Sequence, residues 1–185
     1  MNTKTPPKPL YLLYPEHRLA TPPEIKLPRG YRMRTFEERD RVNYQALLAA
    51  EGWKLDEEKL ASFLDIVLPQ GIFFIVEERS EEIVATACAV HNPQGGHWHF
   101  PFGGDLGYVI TRPEHRGRGL ATAACAAAVS RMLSAGYTSI RVGTNDHRLS
   151  ALKVYLNLGF EPFCYAPGME ERWSVIEQQL RLCER

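Results

Sequence analysis

No apolar run in this chain approaches the length of a membrane span, so a membrane-spanning helix is not expected. Prolines interrupt the first residues, so the unbroken apolar segment of a secretory leader is not expected either. Charge of one sign is not in excess: 22 basic residues face 22 acidic ones. That balance argues against a nucleic-acid partner, which calls for a clustered basic face. Cysteines are few and far apart. Cys88, Cys125, Cys164 and Cys183 contain no Cys-x-x-Cys, which removes both a disulfide framework and a thiolate metal site. Cys88 and Cys125 each lie between alanines, as small buried thiols do. His91, His97 and His99 lack matched cysteine or acidic partners, so no metal is expected. A reducing cytoplasm is the expected compartment.

What the chain does have is one organised stretch, Asp105 to Phe160. Leu106 to Thr111 is a short apolar run with strand character, stopped at Pro113. Glu114-His115-Arg116-Gly117-Arg118-Gly119-Leu120-Ala121 follows, and then a small-residue helix to about Ala135. A strand, a glycine-rich turn and a helix N-terminus together form an anion cradle. Gly117 and Gly119 permit positive φ and close backbone approach. The unpaired amides of the first helical turn point at the ligand. Hydrogen bonds from such amides to a charged group contribute about 1.5–3 kcal/mol each. Arg116 and Arg118 add charge at the rim. The dinucleotide fingerprint is absent, because Thr122 stands at its third glycine and no acid follows near Tyr137 to Arg141. The Gly-Lys-Ser/Thr ending of a P-loop is absent as well.

Downstream lie a strand, Ser139 to Thr144, then Asn145-Asp146-His147, a helix carrying Tyr155, and Leu158-Gly159-Phe160. The arrangement resembles the GNAT superfamily of acyl-CoA-dependent N-acetyltransferases. That family's Gln/Arg-x-x-Gly-x-Gly/Ala pattern falls on Glu114 to Gly119. Its second block falls on Asn145, Ala151, Leu152, Tyr155 and Gly159-Phe160. Glu114 departs from the family's Gln or Arg, so the diphosphate would rely on backbone amides.

The resemblance implies an α+β fold of α/β/α layers, with a mixed, largely antiparallel sheet whose central strands splay to admit pantetheine. It implies acetyl-CoA as co-substrate and direct transfer of the acetyl group to an amine. Coenzyme-binding positions would be Val109, Ile110, Thr111, Arg116, Gly117, Arg118, Gly119, Leu120, Ala121, Asn145 and Ser150. A backbone amide near Val109 or Ile110 would meet the acyl oxygen, and Gly107 would ease the splay. Tyr155 would donate a hydrogen bond to the leaving sulfur; its other reading is a core residue on the Ala151, Leu152, Leu158 stripe. Asp105 is the first candidate for the base, with His97 and His99 next, because the family's usual acidic position falls near Gly103. His147 and Arg148 are expected to face solvent.

Two other functions share the same residues. One is a non-catalytic acyl-CoA-binding module; the other is an acetyltransferase of protein N-termini or lysines. A small-molecule amine is the expected acceptor. Its pocket would draw on Trp53, Phe63, His97, Trp98, His99, Phe100, Phe102, Phe163 and Tyr165. The family also admits a homodimer.

Along the rest of the chain, residues 1–29 form an extension and residues 30–185 the acyltransferase domain. Leu10 to Tyr14 is expected as an added strand, since a helix with the stripe Trp173, Ile176, Leu180 stands where the family's closing strand would be. Gly30 to Phe36 is a strand. Asp40 to Ala50 is helical, with Val42, Ala46, Ala49 and Trp53 at helical spacing. Asp56 is placed to cap a second helix with the stripe Leu60, Phe63, Leu64, Val67, ending at Pro69. Ile72 to Val76 and Ile83 to Val90 form a hairpin around a charged turn. Asn92 to Gly104 is a loop, and Phe160 to Tyr165 a last strand.

Overall fold

In the computed structural model, which describes residues 8–91 and 103–182, the strands form a single seven-stranded sheet. The strands are β1 (Leu10–Leu13), β2 (Tyr31–Thr35), β3 (Val67–Glu77), β4 (Ile83–Val90), β5 (Gly104–Thr111), β6 (Ile140–Thr144) and β7 (Glu161–Phe163). The helices are α1 (Arg41–Ala50), α2 (Glu57–Ile66), α3 (Leu120–Ser134), α4 (Leu149–Asn157) and α5 (Met169–Leu182). Strand order is β2-β3-β4-β5-β6-β1-β7. Every pairing is antiparallel except β5 with β6. The chain therefore has the mixed, largely antiparallel sheet between helices that its motifs imply.

All eight residues of β4 are buried, as a strand covered on both faces requires. One face packs against α3, α4 and α5, around Val84, Leu106, Ala124, Ala128, Leu152 and Trp173. The other packs against α1 and α2, around Tyr44, Leu48, Leu60, Phe63, Phe74 and Cys88. Helix α3 is buried nearly all round, Ala123 included. Its small side chains let the sheet and α4 approach from different sides. Helix α1 differs from its expected stripe: Val42 is 74% exposed, and Tyr44, Leu47 and Leu48 face the core instead. Helix α2 is capped as expected, with the Asp56 carboxylate accepting from the Lys59 amide at 2.9 Å. It ends at Ile66 rather than Pro69, because Val67 already pairs with Val90 of β4.

Two features position the site. The first is the slot between β6 and β7, which β1 fills, antiparallel to both. Leu10 and Leu12 are fully buried there. The N-terminal strand thus occupies the interior of this edge of the sheet. Arg172 of α5 donates to the Lys8 carbonyl at 2.6 Å and grips Asp146 through both carboxylate oxygens. Both ends of the described chain are thereby fastened to the turn after β6.

The second is the parting of β5 and β6. Their pairing runs only from Gly104–Ile140 to Leu106–Val142. Beyond Leu106, β5 stays with β4 and leaves β6. Its register against β4 shifts there by one residue, from Cys88–Gly107 to Thr86–Ile110. Tyr108 and Val109 form this bulge, and Tyr108 takes a φ of 51°. The central strands are splayed, and the distortion sits on Tyr108 rather than on Gly107. A Cβ at Gly107 would meet only Val90, at an ordinary 3.9 Å.

Candidate active site

The cleft between the parted strands opens into a cavity of about 600 Å³. One wall is β5, through Val109, Ile110 and Thr111. A second is the turn His115, Arg116, Gly117, Gly119 with Leu120, Ala121 and Thr122 of α3. A third is His147 and Arg148 with Ser150, Ala151, Lys153, Val154 and Asn157 of α4. Gly117 and Gly119 have φ of 76° and 79°. A Cβ on either would touch nothing within 4 Å, so torsion rather than packing calls for glycine here. Gly119 is the α3 N-cap and offers no side-chain cap. The first helical bond runs from the Ala123 amide to the Gly119 carbonyl at 3.0 Å. The amides of Leu120, Ala121 and Thr122 have no acceptor within the helix, and these residues line the cavity.

Charge agrees with the amides. Arg116, Arg148 and Lys153 line the cavity, against one carboxylate, Glu51. Arg116 is fixed from two sides: its Nε donates to the Thr111 carbonyl at 3.1 Å and its Nη2 to Glu51 at 2.9 Å. Another cavity, of about 720 Å³, lies by the ends of β1, β6 and β7. Glu16 and Glu161 line it, so it repels the anions that the α3 cradle attracts.

Not every expected residue converges on this cavity. Arg118 turns away: its guanidinium donates to the Tyr31 hydroxyl at 2.6 Å and to the Glu114 carbonyl at 3.2 Å. Asn145 is exposed outside the lining, and its carbonyl closes a turn by accepting from the Arg148 amide at 3.0 Å. Tyr155 lies behind the α4 wall, 5% exposed, with its ring against Phe160 at 6.3 Å. Among the described residues its hydroxyl has no hydrogen-bond partner, and burial pushes its pKa far above the ordinary phenol value. Asp105 lies opposite Arg141 in the β5–β6 register, and both of its oxygens receive that guanidinium. Arg141 in turn stands over the Tyr11 ring at 5.2 Å. Asp105 is therefore part of an ion-pair ladder across three strands, apart from the cavity lining.

Ser150 lines the cavity, as do several residues that escaped the sequence reading. His147 and Arg148 are exposed as expected but also form a cavity wall. Lys153, Val154 and Asn157 lie three or four residues from one another and from Ser150 on one face of α4, a spacing that could have marked them. Glu51 carries no local signal, since it reaches the site only through α1. On the α1–α2 side of the sheet, Trp53 and Phe63 each meet the ring of Tyr108. Phe163 and Tyr165 do not: they stack on each other at the β7 edge, three strands from β5. His97, Trp98, His99, Phe100 and Phe102 lie outside the described residues. Among the described residues no cluster of His, Cys, Asp and Glu could hold a metal, and no helix is long and apolar enough to cross a membrane.

The site is thus an anion cradle on a helix N-terminus, beside a pair of parallel strands that part. Residues 33–160 match the Acetyltransferase (GNAT) family, and the chain belongs to it. It is 30% identical over 167 residues to a mycothiol acetyltransferase of Thermobispora bispora, covering 85% of this chain and 52% of that protein. It is 29% identical over 110 residues to N-acetyltransferase 8B of Rattus norvegicus, covering 58% of this chain and 47% of that one. The chain thus spans about half the length of these curated relatives. Among solved structures it is similar to a GCN5-related N-acetyltransferase from Sphaerobacter thermophilus, with a TM-score of 0.65 and 23% identity over 84% of this chain and 48% of that one. It is also similar to AAC(6')-Iy in complex with a CoA-linked acetylneamine bisubstrate analogue, with a TM-score of 0.55 and 20% identity over 71% of this chain and 90% of that one.

Proposed function

We propose that this chain transfers an acetyl group from acetyl-CoA to the amine of a small-molecule acceptor. The observation that carries the reading is the open first turn of α3. Leu120, Ala121 and Thr122 line a positively charged cavity at the point where β5 leaves β6. A diphosphate suits such a cradle, and the cleft leads from it between the strands. In this reading the amides of Leu120 and Ala121, with Gly117, Gly119 and Arg116, hold the diphosphate, and Ser150 flanks the pantetheine arm. Arg118 steadies the turn from outside through Tyr31, and Asn145 shapes the turn that carries His147 and Arg148.

The coenzyme supplies a thioester activated toward nucleophiles. The protein's contribution is to hold the two reactants together, an effect that can supply about 7–11 kcal/mol. A neutral amine attacks the acyl carbon, a C–N bond forms, the C–S bond breaks, and nitrogen loses one proton. The amide side of the bulge at Val109 and Ile110 is the proposed site for the acyl oxygen. Tyr155 lies behind the α4 wall rather than in the lining, and in this reading its hydroxyl meets the departing sulfur only once the coenzyme is bound, donating a hydrogen bond to it. Burial holds that phenol protonated, so it donates a hydrogen bond without giving up the proton. Asp105 can serve as base only by leaving Arg141, so the amine proton goes to water in this reading.

The test is a thermal-shift titration with acetyl-CoA, then acetyl transfer to a panel of amines. Saturation at 100 times Kd should add about 2.7 kcal/mol to stability. A chain that ignores acetyl-CoA sinks the proposal. One that binds it but acetylates nothing is a coenzyme-binding module.

A further inference from the structure

The coenzyme cavity touches β5 through Val109, and the next residue back has a different environment. Tyr108 packs on the α1–α2 face of the sheet, where its ring meets Phe63 at 4.3 Å and Trp53 at 5.0 Å. Its φ of 51° is unusual for a bulky residue within a strand, and such torsions persist only where the surroundings impose them. The two rings supply that constraint, and the bulge aims the side chain. Tyr108 and Trp53 are only partly buried. Among the described residues the Tyr108 hydroxyl has no hydrogen-bond partner, yet it is not one of the fully enclosed polar atoms. A phenol whose oxygen is open thus stands beside the split, on the face opposite the coenzyme cavity.

The rings around it are apolar. Trp53, Leu55, Phe63 and Leu64 cover this part of the sheet, with Cys88 and Ile110 beneath. The connector that carries Trp53 begins at Glu51, which lines the coenzyme cavity. The aromatic cluster and the cavity are therefore joined through one short segment as well as through one strand.

We infer that Tyr108 is the specificity residue for the acceptor, and that the acceptor is a primary amine carried on a flat apolar group. The flat group lies against the Trp53 and Tyr108 rings, and the phenol oxygen accepts one N–H of the amine at the split. This rests on the proposed transfer from acetyl-CoA and adds the class of amine to it.

The experiment measures acetyl-CoA-dependent transfer to phenethylamine, ethylamine and spermidine by thiol release, with acetyl-CoA binding followed separately by thermal shift. Phenethylamine should exceed the other two in kcat/KM by about tenfold or more. Tyr108→Phe keeps both ring contacts and should lower kcat/KM for phenethylamine about tenfold, with acetyl-CoA affinity unchanged. Trp53→Ala should raise KM for phenethylamine more than for ethylamine, a selectivity change that general loosening would not produce. Ethylamine or spermidine matching phenethylamine overturns the inference while leaving the transferase reading intact. So does a Tyr108→Phe enzyme with unchanged kcat/KM. Failure of the wild-type chain to bind acetyl-CoA overturns both.

Discussion

Arg116 Nη2 donates to Glu51 Oε1 at 2.9 Å, and both residues line the same cavity. Glu51 ends helix α1 and Arg116 belongs to the glycine-rich turn, 65 residues later. The carboxylate occupies the guanidinium that the proposed diphosphate would engage. Glu51→Gln should therefore tighten acetyl-CoA binding by about two- to fivefold, the range expected for a partly exposed pair. The gain should shrink as salt is raised. Calorimetric titration at two ionic strengths checks it; weaker binding by Glu51→Gln would show instead that Glu51 holds Arg116 in its productive position.

Tyr155→Phe should lower kcat by about 10²–10⁴ and leave acetyl-CoA affinity unchanged. Because burial raises this phenol further above neutrality, its titration should not shape the pH–rate profile below about pH 10. Steady-state kinetics across pH, paired with coenzyme titration, separates this role from packing. An unchanged kcat assigns Tyr155 to the core with Leu152 and Phe160.

Leu12 is fully buried in the strand between β6 and β7. Leu12→Ala should cost about 2–5 kcal/mol. At about 2–4 °C per kcal/mol for a chain of this size, Tm should fall by several degrees or more. Removing residues 1–14 opens two strand edges at once and should abolish cooperative melting. Calorimetry of both variants measures the effect.

Asp40 accepts from Arg34 Nη2 at 2.7 Å and from the Glu37 amide at 2.9 Å. Burial favours its protonated form, but these partners outweigh burial and hold its pKa below the ordinary carboxylate value. Arg172 lowers that of Asp146 in the same direction. A depressed pKa contributes stability that is present above the unfolded value of about 3.9 and is lost as pH falls toward the folded value. Urea midpoints should therefore drop below about pH 4, and Asp40→Asn should flatten that drop.

Burial pushes the Cys88 thiol up to about 12 and raises Cys125 as well, whereas Cys164 is exposed. Iodoacetamide should label Cys164 in the native protein and reach Cys88 and Cys125 only after denaturation. Peptide mass mapping before and after unfolding reads this directly.

The turn from Arg116 to Ala121 was legible because its constraints are local. Two glycines at positive φ, a proline-stopped strand and a run of small helix formers dictate that geometry whatever surrounds them. The helix α2 cap was legible for the same reason. Helix α1 was misjudged at Val42, because spacing alone does not say which of two overlapping apolar stripes meets the sheet. Arg118 and Asp105 had the right chemistry for a site, but their partners, Tyr31 and Arg141, come from distant parts of the chain.

Taken alone, the amino-acid order determined that a helix begins with unpaired amides behind a glycine turn, and that Asp56 caps the second helix. Those are matters of torsion and short-range hydrogen bonding. Tertiary structure decided which strand fills the gap beside β6, where β5 parts from its neighbour, that Glu51 meets Arg116, and that Tyr108 stands between Trp53 and Phe63. Each of these joins residues far apart in the chain. Such pairings are settled by competition among whole packing arrangements, which no short stretch of sequence records.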